Sequence, residues 1–462
     1  MSTPPRFAVV GHPNKGKSSI VATLSQNEQI QIAAEAGTTQ VSQAYPLQVD
    51  GQTLYVLIDT PGFQRARAAL AWLQSHSQDA ADRPQTLRAF VTQHQGQQRF
   101  KDECELLKPL LEGAGIIYVV DGSVPYGPEY EAEMEILRWS GRPSMALINP
   151  IRSDSHVSAW QTALGQYFQT VRVFNARTAE FDKHLALLRC FGQLEPGWEA
   201  PLNQAISALE QQHQYRHQQA ANLIGQMIQD ALTHQIQTRL SQEQQREQVA
   251  QQLQQQWQQQ LRHREQQCRL AIEHLYQHQH LQRQESELEL EQPDLFATDS
   301  WYLWGLNKKE MVAVASAGGA ATGLLADLGV GGSSLLLGTL GGGIVAGIGA
   351  WLFADDIAKS KLNNKALGGQ QLSYGPATHP NFPFVLLGRA LQHWQQLIRR
   401  NHAWREPLVL SDPPRQWLEQ LAFDERKKLN QCFTALSKQA PQSLSRFNSL
   451  CLEIMQKLEK GA

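Results

Sequence analysis

Cysteine is scarce in this chain of 462 residues: the five present, Cys104, Cys190, Cys268, Cys432 and Cys451, are odd in number and widely scattered. No C-x-x-C pair occurs, so neither a disulfide framework nor a zinc site is expected, and a reducing compartment fits best. An excess of charge of either sign is lacking too. With 41 basic and 43 acidic side chains the net charge is -2, which excludes a globally basic nucleic-acid binder and leaves any basic patch to be local. Met1 to Arg6 is polar and proline-containing, and the apolar stretch after it is broken at once by His12, Asn14 and Lys15. It does not read as a signal peptide. The length exceeds what one ordinary core supports, so two or more domains are expected.

From Arg6 to about Pro196, short apolar runs alternate with longer mixed segments; the runs are Phe7–Val10, Thr53–Ile58, Ile116–Val120, Met145–Ile148 and Val171–Phe174. That alternation predicts a doubly wound α/β domain. After Pro196 the composition shifts toward Gln, His, Arg and Glu as far as Glu291, with almost no Gly or Pro, which predicts long helices. Composition thus divides the chain into an α/β domain (1–196), a Gln-rich long-helix region (197–300), a Gly-rich apolar hairpin (301–367) and a C-terminal helical region (368–462). The half after the α/β domain is expected to be largely α-helical. Leu232, Ile236 and Leu240, and then Val249, Leu253, Trp257 and Leu261, recur at i, i+4 and form a narrow apolar stripe. Such a stripe needs a partner. Two are open: an intramolecular helical hairpin, or a coiled-coil homodimer through 205–290. The histidines among the glutamines read as a solvated face.

Met311 to Phe353 contains one charge, Asp327, and aromatics and lysines flank it at both ends: Trp301, Tyr302, Trp304, Lys308 and Lys309 before, Trp351, Phe353, Lys359, Lys361 and Lys365 at or after its end. A membrane-spanning helix needs about 20 apolar residues, and Gly338/Gly342 and Gly343/Gly347 have the G-x-x-x-G spacing that lets apolar helices approach closely. Two readings are open here as well. One is a hairpin inserted from the cytosolic side through 311–353, making the protein cytoplasmic and associated with the inner membrane. The other is a glycine-zipped hairpin buried in a soluble domain.

Directly after the first predicted strand stands Gly11-His12-Pro13-Asn14-Lys15-Gly16-Lys17-Ser18, which satisfies G-x-x-x-x-G-K-S in the context its mechanism needs. The glycines let backbone N–H groups turn inward around phosphate oxygens, and a helix starting near Lys17 aims its positive end at the same anion. Lys17 is expected to reach the outer phosphates, with Gly16 and Ser19 adjoining them. Ser18 offers the hard oxygen that Mg²⁺ prefers. Asp59-Thr60-Pro61-Gly62 follows the run Leu54 to Ile58; its carboxylate is placed to hold the Mg²⁺ shell, and the Gly62 N–H to meet a γ-phosphate. Gly37-Thr38-Thr39 lies where a hydroxyl would join that metal, so Ser18, Thr39 and Asp59 are the expected metal ligands. Lys17, Thr39 and Gly62 are the expected catalytic positions. Order and spacing describe a triphosphate switch.

G-x-P-N-x-G-K-S, then G-T-T, then D-T-P-G resembles the Era and TrmE branch of bacterial P-loop GTPases over roughly residues 6 to 195. Beyond that, the whole chain resembles predicted bacterial GTPases with a helical, Gly-rich C-terminal half of unassigned function. The resemblance implies GTP as substrate and Mg²⁺ as cofactor, with Asn14 matching the asparagine that helps hold K⁺, Thr38 and Thr39 in switch one, and Asp59 in switch two. Two departures stand out. The base-recognition motif N-K-x-D is replaced by Asn149-Pro150-Ile151-Arg152; the missing aspartate ordinarily supplies a contact of roughly 1.5 to 3 kcal/mol, about ten- to a hundred-fold in discrimination. Asp154 stands two positions late. Asn175-Ala176-Arg177 resembles S-A-K, where the Ala176 N–H would meet guanine O6, and GTP over ATP rests chiefly on the family. The second departure is Phe63, at the place of a water-orienting glutamine; the resemblance implies that K⁺ stabilises the developing charge instead. Lys15 is either a second cation near the phosphates or solvent-facing. The long stretch between Phe63 and Gly113, with Arg65, Arg67 and Trp72, is either an effector surface or a helical cover. No basic, aromatic-interleaved RNA-binding module is visible, so nucleic acid is not an expected partner. Against the switch stands a different class: a membrane-tethering or scaffold protein whose nucleotide domain hardly hydrolyses.

Overall fold

The computed structural model describes residues 3–26, 39, 41–240, 246–278, 306, 309–311, 313, 349–354, 361–362, 365–366, 370–401 and 416–460. The chain divides into two compact units, Met1–Gln214 with Arg399–Glu406, and Tyr215–Ile398 with Pro407–Ala462. The three segments separated on composition after residue 196 therefore fall, apart from 197–214 and 399–406, in one unit.

The first unit runs β1 (Arg6–Val10), α1 (Lys17–Ser25), β2 (Gln43–Val49), β3 (Gln52–Asp59), α2 (Ala66–His76), α3 (Arg83–His94), α4 (Lys101–Leu111), β4 (Gly115–Asp121), α5 (Glu129–Trp139), β5 (Ser144–Asn149), α6 (Val157–Leu164), β6 (Val171–Val173) and α7 (Phe181–Leu194). The strands form one sheet in the order β2-β3-β1-β4-β5-β6. All pairs are parallel except β2 with β3. Side chains alternate across a strand, so Phe7, Val9, Ile117 and Val119 pack on one face with Ile20, Leu24, Leu188 and Phe191. Ala8, Val10, Ile116, Tyr118 and Val120 pack on the other with Leu107, Met134 and Leu137. Coverage on both faces is why these strands are continuous apolar runs. The expected doubly wound α/β domain is present. Trp72 of the stretch after Phe63 packs edge-on to Phe90 at 5.3 Å, and Phe90 meets Phe100 at 5.1 Å. The stretch is thus a helical cover with its own aromatic core, while Arg65 and Arg67 remain exposed.

The unit boundary falls inside α8 (Pro196–Thr233). The second unit continues with β7 (Ile236–Leu240), α9 (Arg246–Leu275), β8 (Gly349–Ala354), the two-residue strands β9 (Lys361–Leu362) and β10 (Lys365–Ala366), β11 (Gln370–Ala377), α10 (Phe382–Arg399), α11 (Gln416–Glu419), α12 (Phe423–Ser437) and α13 (Ser443–Lys460). It is largely helical, as expected. Two local readings are corrected. Ile236 and Leu240 do not continue a helix: α8 stops at Thr233, and Ile236–Leu240 pairs antiparallel with β11, whose ladder takes up its backbone groups. Gly349–Ala354, the expected end of the apolar hairpin, pairs with the other edge of β11. Within 311–348 only Met311 and Ala313 are described, both helical, so the membrane reading falls outside the described residues. Among the described residues no helix is long and apolar enough to cross a membrane.

The partner of the apolar stripe lies within the chain. Leu253, Trp257 and Leu261 are buried with Ile228, Leu232, Tyr374 and Phe384, and the Trp257 indole N–H donates to the His234 carbonyl at 2.9 Å. Glu265 on α9 is buried between two guanidinium groups: Arg389 of α10 donates to it at 2.7 and 3.2 Å, and Arg269 at 2.6 Å.

Candidate functional site

The loop between β1 and α1 is held open by its glycines and by what they face. Gly16 sits at φ 83°, and a Cβ there would lie 2.3 Å from the Asn149 Nδ2, so only hydrogen fits. Lys17 opens α1 and is buried. Its ammonium donates to the His12 carbonyl at 3.0 Å. Burial lowers the Lys17 pKa to about 8, against the nearby carboxylates of Asp59 and Glu133, and an anion at the head of the loop would restore its charge balance.

The three expected metal ligands meet at one atom. Ser18 Oγ donates to Asp59 Oδ2 at 2.8 Å, and Thr39 Oγ1 donates to the same oxygen at 3.0 Å. The other oxygen, Oδ1, is buried and, among the described residues, meets no hydrogen bond of normal geometry. Burial pushes the Asp59 carboxyl up, opposed by Ser18, Lys17 and Thr39. Two hydroxyls and a desolvated carboxylate with a spare lone pair fit a small hard divalent cation. Thr38 lies outside the described residues.

The loop after Asp59 is seated against the phosphate loop. Thr60 Oγ1 donates to the Val9 carbonyl at 2.8 Å, and the Phe63 N–H to the Gly11 carbonyl at 3.3 Å. A Cβ on Gly62 would come within 2.6 Å of the Pro13 nitrogen. Phe63 itself is 1% exposed, so its ring belongs to the core. Together these segments line a cavity of about 770 Å³ that contains Asn14, Gly16, Lys17, Ser18, Ser19, Thr39 and Gly62.

At the far end, Asn149 links three loops. Its Nδ2 donates to the Lys15 carbonyl at 3.4 Å, and its Oδ1 accepts the Ala176 N–H at 3.3 Å. Thr23 Oγ1 donates to the Ala176 carbonyl at 2.7 Å. Asp154 is exposed, and its carbonyl accepts the Val157 N–H at the start of α6. The cavity wall there is Ile151 and Arg152. Lys15 is not among the residues lining this cavity; its ammonium lies over the Tyr130 ring, 5.8 Å from the centroid, a cation–π contact. A larger open groove of about 1010 Å³ runs along α8 and α9, with Gln226, Asp230, Gln260 and Arg264 in its walls beside Leu223, Met227 and Ala271; it has no glycine loop or helix start of the kind that faces the first cavity.

Comparison with known proteins agrees with this geometry. The family profile described as "50S ribosome-binding GTPase" matches residues 6–149, and that described as "Domain of unknown function (DUF3482)" matches residues 161–456, more than half the chain. The chain belongs to the DUF3482 family. Its N-terminal domain is a P-loop GTPase domain. Over 60 residues this DUF3482 protein is 47% identical to GTPase Der of Mycoplasma pneumoniae, covering 13% of each chain. Over 123 residues it is 33% identical to GTPase Der of Nitrobacter winogradskyi, covering 26% of each. The matched stretches are thus 13% and 26% of those relatives' lengths. A crystal structure of Aquifex aeolicus Era bound to GDP and AlF4⁻ aligns at 18% identity, over 38% of this chain and 52% of that one, with a TM-score of 0.27.

Two acids of this DUF3482 protein escaped the motif search. Glu133 is buried beneath the phosphate loop: its Oε1 pairs with His12 Nδ1 at 2.7 Å, and its Oε2 accepts the Tyr118 hydroxyl at 2.9 Å. Glu103 is equally buried, and its Oε1 accepts the Gln64 and Arg65 N–H groups at 2.9 and 2.5 Å. A signal was present. Each acid interrupts an apolar helix face, Glu103 with Leu106, Leu107 and Leu110, and Glu133 with Tyr130, Met134 and Leu137, and a buried carboxylate is retained only where donors meet it.

The contact between Gly62 and Pro13 yields a direct test. Gly62→Ala is expected to displace the loop after Asp59 and lower triphosphate hydrolysis at least about tenfold, because overpacking against backbone costs about 1 to 3 kcal/mol. GDP affinity is expected to stay near wild type. Equal single-turnover rates for the two proteins would show that this contact does not govern the site.

Proposed function

We propose that this protein is a GTP-binding and GTP-hydrolysing switch that requires Mg²⁺, with the DUF3482 half as the part that reads the nucleotide state. The observation that carries the reading is the convergence of Ser18 and Thr39 on Asp59. These residues come from the phosphate loop and the two candidate switch segments, so one cation held there couples all three. Mg²⁺ bound there would neutralise charge on the β- and γ-phosphate oxygens. Lys17 binds the phosphates, the Gly62 N–H orients the γ-phosphate, and Asn149 holds the Ala176 loop where a base would sit. Guanine over adenine rests on the likeness to GTPase Der, because Arg152 stands where an aspartate would read the base.

Phe63 leaves water orientation and charge stabilisation to other groups. Asn14 lines the cavity beside the phosphates and is the residue that would help hold K⁺. Steady-state turnover of GTP and ATP with Mg²⁺, in K⁺ and in Na⁺ at equal ionic strength, tests both points. GTP is expected to be preferred and K⁺ to be faster, with Asn14→Ala erasing the cation difference. Indifference to the cation would remove the K⁺ mechanism, and preference for ATP would remove the guanine assignment. Burial of Phe63 also favours a second reading, a scaffold that binds nucleotide and scarcely hydrolyses it. Tight GTP binding with turnover at the uncatalysed rate would select that reading.

A further inference from the structure

The helices inserted after Phe63 do more than cover the sheet. Gln98, Lys101 and Asp102, at and just before the start of α4, line the same cavity as Lys17, Thr39 and Gly62. Three hydrogen bonds fix this turn in place. Glu103, 1% exposed, accepts the backbone N–H groups of Gln64 and Arg65, directly after Phe63. On the other side Ser42 Oγ, close behind Thr39, donates to the Glu105 carbonyl at 2.8 Å. The start of α4 is thereby bonded to both segments expected to flank a γ-phosphate.

Phosphoryl transfer is accelerated chiefly by fixed positive charge where negative charge develops. Phe63 cannot contribute there, since its ring is in the core. Lys101 is the cation that the insert brings to the cavity, and among the described residues it has no hydrogen bond or ion pair that would occupy it. Asp102 shares the rim, but a carboxylate opposes phosphate charge. Resting on the GTPase reading, we propose that Lys101 is a catalytic cation supplied from within the chain to the γ-phosphate, and that Glu103 is the positioning residue that holds its turn against the loop after Gly62.

The test compares wild type, Lys101→Ala, Lys101→Arg, Glu103→Ala and Glu103→Gln in the full chain. Two readouts are taken: the single-turnover rate of GTP hydrolysis, and the ratio of affinities for a non-hydrolysable GTP analogue and for GDP. Lys101 is exposed, so its replacement leaves the core intact. Lys101→Ala is expected to slow hydrolysis about a hundredfold and to lower the analogue-to-GDP ratio, with GDP affinity unchanged and Lys101→Arg restoring both. Glu103→Ala is expected to do the same, and Lys101→Ala made on top of it to add little, since the two act as one unit. Glu103→Gln keeps an acceptor oxygen and is expected to recover the rate. If Lys101→Ala matches wild type in rate and ratio, the proposal is overturned while the GTPase reading stands. If wild type binds guanine nucleotide without hydrolysing it, the catalytic role of Lys101 is overturned while guanine-nucleotide binding stands. If wild type binds no guanine nucleotide, the GTPase reading falls and this proposal with it.

Discussion

Lys17→Ala is expected to weaken GTP binding by more than about a hundredfold while leaving the protein folded. A charge-assisted hydrogen bond contributes about 1.5 to 3 kcal/mol, equivalent to about ten- to a hundred-fold in affinity, and the ammonium offers several donors to the phosphates. The fold survives for a reason visible in the pKa. Burial depresses Lys17 to about 8, below its ordinary value, so at neutral pH the protonated group is a net cost to the folded state. Alanine removes that cost, and the cost vanishes for wild type only as pH rises past the ordinary lysine range. Thermal melts of the unliganded proteins at neutral pH are therefore expected to show the variant at least as stable as wild type. Titration with a fluorescent GTP analogue then reads binding alone. Equal affinity in the two proteins would remove this loop from the binding site.

In the second unit the largest effect is expected from Glu265→Ala, which should destabilise by about 3 to 5 kcal/mol, because it breaks a buried ion pair by removing the carboxylate that Arg389 and Arg269 both bond. Burial pushes the Glu265 carboxyl up, but Arg269 and Arg389 overcome this and hold it at about 2. A depressed folded-state pKa gives stability that is fully present above the ordinary carboxyl value of 4.5 and is lost as pH falls toward about 2. Urea unfolding followed by tryptophan fluorescence at pH 7 and at pH 3 checks both statements. Wild type should lose more stability on acidification than the variant. Identical losses would show that Glu265 does not carry this charge in the folded protein. Replacing Glu265 and Arg389 together by leucine and methionine is expected to recover much of the loss, since an apolar pair of similar volume needs no counter-charge.

Much of the nucleotide site was legible because its parts are contiguous. Gly11 to Ser18 and Asp59 to Gly62 each combine a strand end, a turn and a polar side chain within a few residues, so order and spacing sufficed to expect Ser18, Thr39 and Asp59 together, and their side chains are hydrogen-bonded to one another. The helical character of the second half was legible in the same way, from composition. What misled was spacing that serves two geometries. Leu232, Ile236 and Leu240 recur every four residues, which places them on one face of a helix and equally on one face of a strand. Only the pairing of Ile236–Leu240 with β11 distinguishes the two. Gly349–Ala354 was hidden likewise, as an apolar run whose ladder partner lies elsewhere in the sequence.

The α/β P-loop domain could be read from residue order alone, and so could Lys17, Ser18, Thr39 and Asp59 as candidates for one site, because their segments are local and the backbone has few ways to arrange them. Only the tertiary structure decided that Lys15 turns to Tyr130, that Glu133 lies under His12, and that Glu103 brings the start of α4 to the loop after Gly62. Each of these joins residues distant in sequence, and the last two depend on which donor meets a buried carboxylate. A pattern of residue types does not encode that meeting; packing does.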